Sequence, residues 1–258
     1  MKVFKLLNMF GFDARKMGKS IAALPRFYSD YKHLKTALAE QDGGLEIERF
    51  YPVLMESAEP SGEATGHYFH QDLLVAQKVF ASDAARVVDI GSRVDGFVAH
   101  VAAFRKIEVV DFRALESGHD NIAFLQCDVM EEGATSQLGE SDLVTCLHVL
   151  EHFGLGRYGD PIAADGHLRG LRNLERMVAD GGRLILSVPI GRERIEFNAH
   201  RIFASGTMPS LISDAFTLTD FSYVDDRGDL HTSVDLVAQK DKLDAMHFGC
   251  GIYDFRKA

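Results

Sequence analysis

The chain has 258 residues, of which 46% are hydrophobic and 26% charged, so it is long enough for a globular domain with a sizeable core. Its formal net charge of -10 disfavours nucleic acid as a partner, because a phosphate backbone is repelled unless a local basic patch compensates. The three cysteines Cys127, Cys146 and Cys250 cannot all pair with one another, and we expect them to be the reduced thiols of a cytoplasmic protein.

The first part of the chain is basic. Residues 1–35 carry eight Lys or Arg against two Asp, a charge of +6, which leaves -16 for the rest. Lys5 and Asn8 interrupt the apolar start and no cleavage pattern follows, so we expect no signal peptide, and no apolar run is long enough for a transmembrane segment. The segment could lie peripherally on the anionic inner face of a membrane, or it could pack on the acidic body of the same molecule.

The distribution of residue types along the chain predicts two structural regions. Helical signals extend to Gln41 with Pro25 as a break, and residues 42–66 are rich in glycine and proline. We therefore predict a helical and loop-rich N-terminal extension over residues 1–66 and a second domain over residues 67–258.

The second domain alternates short apolar runs with helical segments, beginning with a predicted helix over 70–81. The predicted strands are 86–90, 107–111, 123–127, 143–147 and 183–188, and the predicted helices between them are 97–104 and 167–178. Runs 216–224 and 251–255 would finish the sheet, with 233–238 as a third candidate strand. This pattern predicts an α/β fold with a doubly wound, mostly parallel sheet.

Such a sheet binds its ligand beyond the carboxyl ends of the strands. Gly91, after the first predicted strand, permits a tight turn and close approach of a ligand to the next helix. Asp111 at the end of the second strand could accept both hydroxyls of a ribose, and Asp128 after the third could accept an adenine amino group. Arg93 takes the place of the second glycine of a dinucleotide fingerprint, which disfavours NAD.

Ordered motifs across this domain resemble those of class I, S-adenosylmethionine-dependent methyltransferases. The motifs are VDIG, VVD, QCDV, CLHVLEH and DGGRLILSVP. The resemblance implies a Rossmann-like fold in which Gly91 holds the methionine part of S-adenosylmethionine, Asp111 the ribose and Asp128 the adenine. The other predicted cofactor-binding residues are Asp89, Ser92, Arg93, Gly96, Val129 and His148. The chain departs from the family's D-x-G-x-G-x-G turn, with Arg93 and Asp95 at two glycine positions and Gly96 one place late.

A narrower set of motifs is similar to a methyltransferase-like family catalogued as a domain of unknown function. These motifs are HYFHQDLLVAQKVF, DIGSRVDGFVAHV, HVLEHFGLGRYGDP, FNAHRIF and FGCGIYDF. Members of that family often accompany genes for sugars and surface polysaccharides, which implies a glycan or glycolipid acceptor.

Candidate catalytic residues follow the fourth and fifth predicted strands. His148, Glu151 and His152 would share one face of a helical turn, and FNAHR brings His200 to the same edge. A histidine has a suitable pKa to take the proton of an acceptor hydroxyl. The same four residues are similar to the E-x-x-E-H arrangement of some metal-dependent O-methyltransferases, so they could instead hold a divalent metal, or the Glu-His pair could only shape the cofactor pocket.

These patterns favour a methyltransferase that acts on an oxygen of a glycan, a glycolipid or another small acceptor. The alternative is a catalytically inactive binding or scaffolding protein with the same fold, in which Arg93 and Asp95 mark a lost glycine loop. Tyr158, Asp160 and Asn198 could bind the acceptor or could belong to a structured turn.

Overall fold

The computed structural model describes residues 11–41, 45–116 and 118–258. The chain divides into two compact units, Met1–Glu63 and Ala64–Ala258. None of the helices within the described ranges is both long and apolar enough to cross a membrane. Residues 1–10, which belong to the basic segment, lie outside the described residues.

The described part of the first unit contains one long helix, α1 (Ala14–Ala39). The carboxylate of Asp13 caps it by accepting hydrogen bonds from the backbone N–H groups of Arg15 and Lys16, at 2.9 and 3.1 Å. The predicted break at Pro25 is wrong, because α1 runs through it. A proline inside a helix forfeits one backbone hydrogen bond, and this 26-residue helix accommodates that loss.

The second unit is built on an eight-stranded sheet with the order β3-β2-β1-β4-β5-β10-β8-β9. The strands are β1 (Val87–Ile90), β2 (Ile107–Asp111), β3 (Ile122–Gln126), β4 (Ser141–Leu147), β5 (Val178–Ile190), β8 (Phe216–Val224), β9 (Leu230–His231) and β10 (Gly249–Lys257), and β6 (Arg194–Glu196) and β7 (His200–Ile202) form a separate ribbon. Strands β1 to β5 pair in parallel, whereas β10, β8 and β9 pair antiparallel. The predicted mostly parallel α/β sheet is confirmed.

Helices cover both faces of this sheet. They are α2 (His67–Phe80), α3 (Ala99–Ala102), α4 (Ala134–Leu138), α5 (Gly166–Met177), α6 (Thr207–Leu211) and α7 (Lys240–Asp244). Neighbouring residues of β1 point to opposite faces, since Val87 packs in one buried apolar cluster with Val75 of α2, and Val88 packs in another with Leu174 of α5. Burial of both faces explains why the inner parallel strands β1 and β4 are mostly apolar, whereas β3 at the edge of the sheet has no buried residue.

Three local expectations differ from the structure. Residues 233–238, a third candidate strand, form a turn instead, because Ser233 has a φ of 52° and the carboxylate of Asp235 accepts a hydrogen bond from the backbone N–H of Ala238 at 2.9 Å. Strand β5 begins at Val178, directly after α5, and so includes Gly181 and Gly182, which precede the predicted strand at 183–188. The predicted helix over 97–104 is preceded by a π-helical turn, Val94–Val98, in which Gly96 has non-helical angles.

Candidate active site

A cleft of about 680 Å³ lies at the carboxyl ends of β1 to β4. Every predicted cofactor residue except Asp89 lines it: Gly91, Ser92, Arg93, Gly96, Asp111, Asp128, Val129 and His148. The start of α2 closes one wall with Tyr68, Gln71 and Asp72, and the turn after β4 closes another with His152, Arg157 and Tyr158. The cleft therefore has the position that a doubly wound sheet gives to its ligand.

Gly91 fits its place for two reasons. Its φ of 73° lies in the left-handed region, and a Cβ atom there would stand 2.6 Å from Cγ1 of Val149, which follows β4. Its backbone N–H also donates to the carbonyl of Val110 at 2.8 Å. The glycine thus lets the loop after β1 approach the loop after β4 closely.

Asp89 is fully buried, and its hydrogen bonds stabilise the loop after β1 rather than line the cleft. One carboxylate oxygen accepts from the hydroxyls of Thr145 and Ser92, at 2.6 and 2.9 Å, and the other accepts from the backbone N–H of Ser92 at 3.1 Å. Burial raises the pKa of Asp89 to about 6 against these hydrogen bonds. Asp89 therefore ties the loop after β1 to β4 and positions it.

The altered glycine positions are occupied by an exposed ion pair. Nη2 of Arg93 lies 2.6 Å from Oδ2 of Asp95. At Gly96 a Cβ atom would stand 2.8 Å from Oδ2 of Asp72, so the glycine leaves room for that carboxylate. Burial raises the pKa of Asp72, which also accepts from the amide of Gln71 at 3.0 Å.

Asp72 was not predicted from the sequence as a residue of the cleft. The adjacent polar pair Gln71 and Asp72 within an amphipathic helix was the available signal, because one of two consecutive residues there must lie near the buried face. Gln71 is indeed buried, and its carbonyl accepts from the hydroxyl of Ser187.

Asp111 is already paired. Its Oδ1 accepts from the backbone N–H and Nε of Arg113, at 2.8 and 3.0 Å, and its Oδ2 accepts from Nη2 at 2.6 Å. The guanidinium also lies over the ring of Tyr158, 4.6 Å from its centre. Asp128 uses Oδ1 to accept from the backbone N–H of Met130 at 2.8 Å. A ribose at Asp111 would have to share or displace Arg113.

His148, Glu151 and His152 come together after β4. His148 has a φ of 55°, and Glu151 and His152 follow in a short 3-10 turn, Leu150–His152, where a helical turn was expected. Nδ1 of His148 lies 2.7 Å from Oε1 of Glu151, and Nε2 of His152 lies 3.7 Å from the same oxygen. Burial alone would lower the pKa of His148, but Cys250 and Glu151 outweigh it and raise that pKa well above its ordinary value.

His152 and His200 differ in their surroundings. Nδ1 of His152 lies 2.8 Å from the carbonyl oxygen of Ala199, and burial lowers the pKa of His152. Nε2 of His200, on the ribbon, lies 3.4 Å from Oε2 of Glu196. Within the described ranges, the His, Cys, Asp and Glu side chains close enough to share an ion are His67, His148 and Cys250. Of the four predicted metal ligands, only His148 belongs to that group.

The turn that follows is organised by Asp160. This buried carboxylate accepts from the backbone N–H groups of Gly154, Gly156 and Tyr158, at 3.0, 3.1 and 3.2 Å. Asp160 thus holds the turn. Asp160 and Tyr158 both line the cleft, and Tyr158 remains a candidate for acceptor binding. Asn198 is not among the lining residues.

This strand order and cleft are those of the class I methyltransferase fold, and solved structures agree. The N-methyltransferase NodS of Bradyrhizobium japonicum, in complex with S-adenosyl-L-homocysteine, is 14% identical with a TM-score of 0.52 over 74% of this chain and 88% of its own. The O-methyltransferase of a trans-AT polyketide synthase of Brevibacillus brevis, in complex with the same compound, is 13% identical with a TM-score of 0.51 over 73% and 71%. The [4+2]-cyclase SpnF is 15% identical with a TM-score of 0.51 over 73% and 80%.

These likenesses establish the fold, which is shared by a cyclase and so does not by itself determine the reaction. No curated protein matches the chain. The family model described as Caenorhabditis protein of unknown function, DUF268, matches residues 100–247. The chain belongs to the DUF268 family.

Proposed function

We propose that the chain is an S-adenosylmethionine-dependent methyltransferase that acts on a hydroxyl of a small or glycan acceptor. The observation that carries this proposal is the cleft at the carboxyl ends of β1 to β4, where Asp111 and Asp128 line one side and the glycine loop at Gly91 lines another. When bound, S-adenosylmethionine supplies an electrophilic methyl group. The bound S-adenosyl-L-homocysteine of NodS and of the polyketide O-methyltransferase, which share this fold, supports the choice of cofactor.

Different residues of the cleft would bind different parts of the cofactor. Asp111 would accept the ribose hydroxyls after sharing or releasing Arg113, and the free oxygen of Asp128 would accept the adenine amino group. Gly91 exposes backbone beside the methionine part, and Asp89 holds that loop in place through Thr145.

His152 is the best-placed base. A carbonyl oxygen can only accept a hydrogen bond, so Nδ1 of His152 carries the proton and donates a hydrogen bond to the carbonyl of Ala199. The lone pair of the neutral ring is then on Nε2. The lowered pKa keeps this ring neutral near pH 7, which is the form that takes a proton from an acceptor hydroxyl. His148 instead directs Nδ1 to Glu151, and its Nε2 is buried.

The acceptor class rests on the resemblance to a family that accompanies polysaccharide genes and on the lining of the cleft. Arg93, Arg113 and Arg157 line it together with Tyr158. Guanidinium groups and an aromatic ring suit a sugar that carries phosphate, such as a nucleotide sugar or a lipid-linked glycan.

Calorimetric titration of the full chain with S-adenosyl-L-homocysteine tests the cofactor. We expect saturable binding, and we expect Asp111→Asn to weaken it by about 1 to 3 kcal/mol, the cost of losing a charged hydrogen-bond partner. Asp120→Asn, an exposed aspartate in the same unit, is the matched control and should bind as the parent does.

Two outcomes would contradict the proposal in different ways. Equal affinity in a folded Asp111→Asn variant removes Asp111 from the site. No binding of either S-adenosylmethionine or its product by the parent chain favours the inactive scaffold, for which the pair Arg93 and Asp95 in the glycine loop is the supporting observation. A donor-labelled screen of nucleotide sugars, lipid-linked glycans and small phenols then identifies the acceptor of a binding-competent chain.

A further inference from the structure

Three potential metal ligands meet beside the cleft. A ring nitrogen of His67, a ring nitrogen of His148 and Sγ of Cys250 all lie within 4.8 Å of one another. His148 and Cys250 are buried, and His67 is partly buried. They come from the first turn of α2, the loop after β4 and the start of β10, so no short sequence motif unites them.

The fold brings these segments to one edge. β10 runs antiparallel to β5, with Gly249 opposite Ile190, so the start of β10 lies where the parallel strands end. The start of α2 is held to the loop before β9, because the backbone N–H of Gly66 donates to the carbonyl of Gly228 at 3.0 Å. Cys250 is paired on both sides, with Pro189 of β5 and Val224 of β8. The ligand atoms are therefore presented by rigid elements.

His148 points an unsatisfied atom into this group. Its Nε2 is buried and has no hydrogen-bond partner among the residues that the structure describes, and His148 is only 7% exposed. A buried nitrogen without a partner is costly and calls for a ligand. Its Nδ1 lies 2.7 Å from Oε1 of Glu151, so Nε2 is the nitrogen left for a ligand, and an ion that binds there displaces the proton that Nε2 carries in the charged ring. A carboxylate behind the distal nitrogen is the usual arrangement of a metal-binding histidine.

We propose that His67, His148 and Cys250 bind a zinc ion, with Glu151 as the positioning carboxylate behind His148. Two imidazoles and one thiolate suit zinc, whereas magnesium and calcium prefer oxygen ligands. Donor atoms around tetrahedral zinc lie roughly 3.5 Å apart, as follows from metal–ligand distances of about 2.0 to 2.3 Å. The rings of His67 and His148 are stacked with an interplanar angle of 15°, so one of them must turn out of the stack for both nitrogens to point at the same ion. Three protein ligands leave a fourth position for water.

This site differs from a metal held by His148, Glu151, His152 and His200. Glu151 Oε1 contacts Nδ1 of His148 rather than the shared space, and Nε2 of His200 lies beside Glu196. His152 remains free to act as a base. The zinc ion would fix His148, which lines the cleft, and the proposal does not depend on the nature of the reaction.

Cobalt substitution of the full chain is the test. The protein is chelated, dialysed and titrated with Co²⁺, and absorption spectra are recorded. We expect one equivalent to bind, with a thiolate-to-cobalt charge-transfer band in the near ultraviolet and the intense visible bands of tetrahedral cobalt. Zn²⁺ should displace Co²⁺ and bleach both features.

Variants assign the ligands. Cys250→Ser should abolish the charge-transfer band, and His67→Ala should weaken Co²⁺ binding at least tenfold. Cys146→Ser, which changes an equally buried cysteine outside the group, should keep the full spectrum. Because a buried substitution can impair folding, the parent protein is also alkylated at its cysteines with and without Zn²⁺ and mapped by mass spectrometry. Zinc should protect Cys250, and it should not change the reactivity of Cys127.

Several results would overturn the proposal. They are the absence of stoichiometric Co²⁺ binding by the parent chain, a bound spectrum without a thiolate band, and alkylation of Cys250 that zinc does not slow. The first of these would mean that Cys250 and His148 form only a buried thiol–imidazole contact.

Discussion

His152 is held in a geometry that separates its two nitrogens. Nδ1 is committed to the carbonyl of Ala199, and burial lowers the pKa of the ring below its ordinary value of 6.5, with Arg157 acting in the same direction and Glu151 against it. A lowered pKa means that the ring gains its proton only at a more acidic pH. If His152 is the base, turnover should therefore stay constant as the pH falls from about 8 to the ordinary histidine pKa of 6.5, and it should decline only at a pH below 6.5.

His152→Gln tests this role in a steady-state assay with the acceptor found by the screen. Loss of a general base should reduce turnover by about 100- to 10,000-fold, while binding of S-adenosyl-L-homocysteine is unchanged. His119→Gln, at an exposed position, should have parental rates. If His152→Gln reduces turnover by less than threefold and the decline of turnover at acidic pH occurs at the same pH as in the parent, His152 has only a packing role.

The ion pair of Arg113 and Asp111 occupies the carboxylate that the ribose needs. Their side chains are 45% and 12% exposed, so the solvent weakens the pair, and breaking it should cost about 0.2 to 1 kcal/mol. Arg113→Ala should then strengthen adenosine binding by up to about fivefold, as measured by calorimetry. Arg169→Ala, which removes another arginine from an exposed pair, should have no effect. Weaker binding in Arg113→Ala would instead show that Arg113 contacts the ligand itself.

At the scale of elements, the loops after β1 and β4 interlock through Gly91 and Val149. Gly91→Ala would incur the strain of a left-handed alanine, about 1 to 2 kcal/mol, and a contact of 2.6 Å with Val149, which should cost about 1 to 3 kcal/mol more as an overpacked site. Gly133 has a φ of 88°, and a Cβ atom added there would meet no atom of the described residues within 4 Å, so Gly133→Ala isolates the backbone strain.

Urea denaturation of the two variants measures the difference in the free energy of unfolding. We expect Gly91→Ala to lose at least about 1 kcal/mol more than Gly133→Ala, as the overpacking range implies, and also to lose affinity for the cofactor. Equal losses in the two variants would mean that the loops separate freely and that the close approach has no energetic consequence.

The inner strands were predictable because their residues are mostly buried, as all four residues of β1 are. The predicted strand 107–111 has the same bounds as β2, Ile107–Asp111. Boundaries failed where backbone geometry overrides local preference: Gly181 with a φ of 71° sits inside β5, and Ser233 turns a candidate strand into a loop. Such angles are set by packing and by caps such as Asp235, which a local pattern does not reveal.

The position of the cleft at the carboxyl ends of the strands was predictable from the sequence, whereas most side-chain contacts within it were not. Asp111 and Asp128 follow from strand ends, and both line the cleft. The partner of Asp111 was not foreseen, although Arg113 is only two residues away, because pairing depends on the turn that follows β2. His67 and Cys250 are far apart in the sequence and meet only through the antiparallel addition of β10 to the sheet.

At the scale of the whole molecule, charge is distributed unevenly. Residues 1–35 carry +6 against -16 for the rest, and none of the side chains of α1 is buried. We propose peripheral attachment of this segment to an anionic membrane surface, for which each basic residue near the surface contributes about 1 kcal/mol. In flotation assays the full chain should rise with vesicles that contain phosphatidylserine at low salt. It should remain below with neutral vesicles.

Charge variants can distinguish attraction of α1 to the membrane from an effect of the net charge of the whole chain. Lys16→Glu with Lys19→Glu, on exposed positions of α1, should abolish flotation, whereas Lys106→Glu with Arg172→Glu makes the same change in net charge on exposed positions of the second unit and should leave it intact. Raising the salt to about 1 M reduces the screening length to about 3 Å and should release the parent chain. Equal flotation of both double variants would exclude attachment through Lys16 and Lys19. The absence of flotation by the parent chain at low salt would leave packing within the molecule as the interpretation of the basic segment.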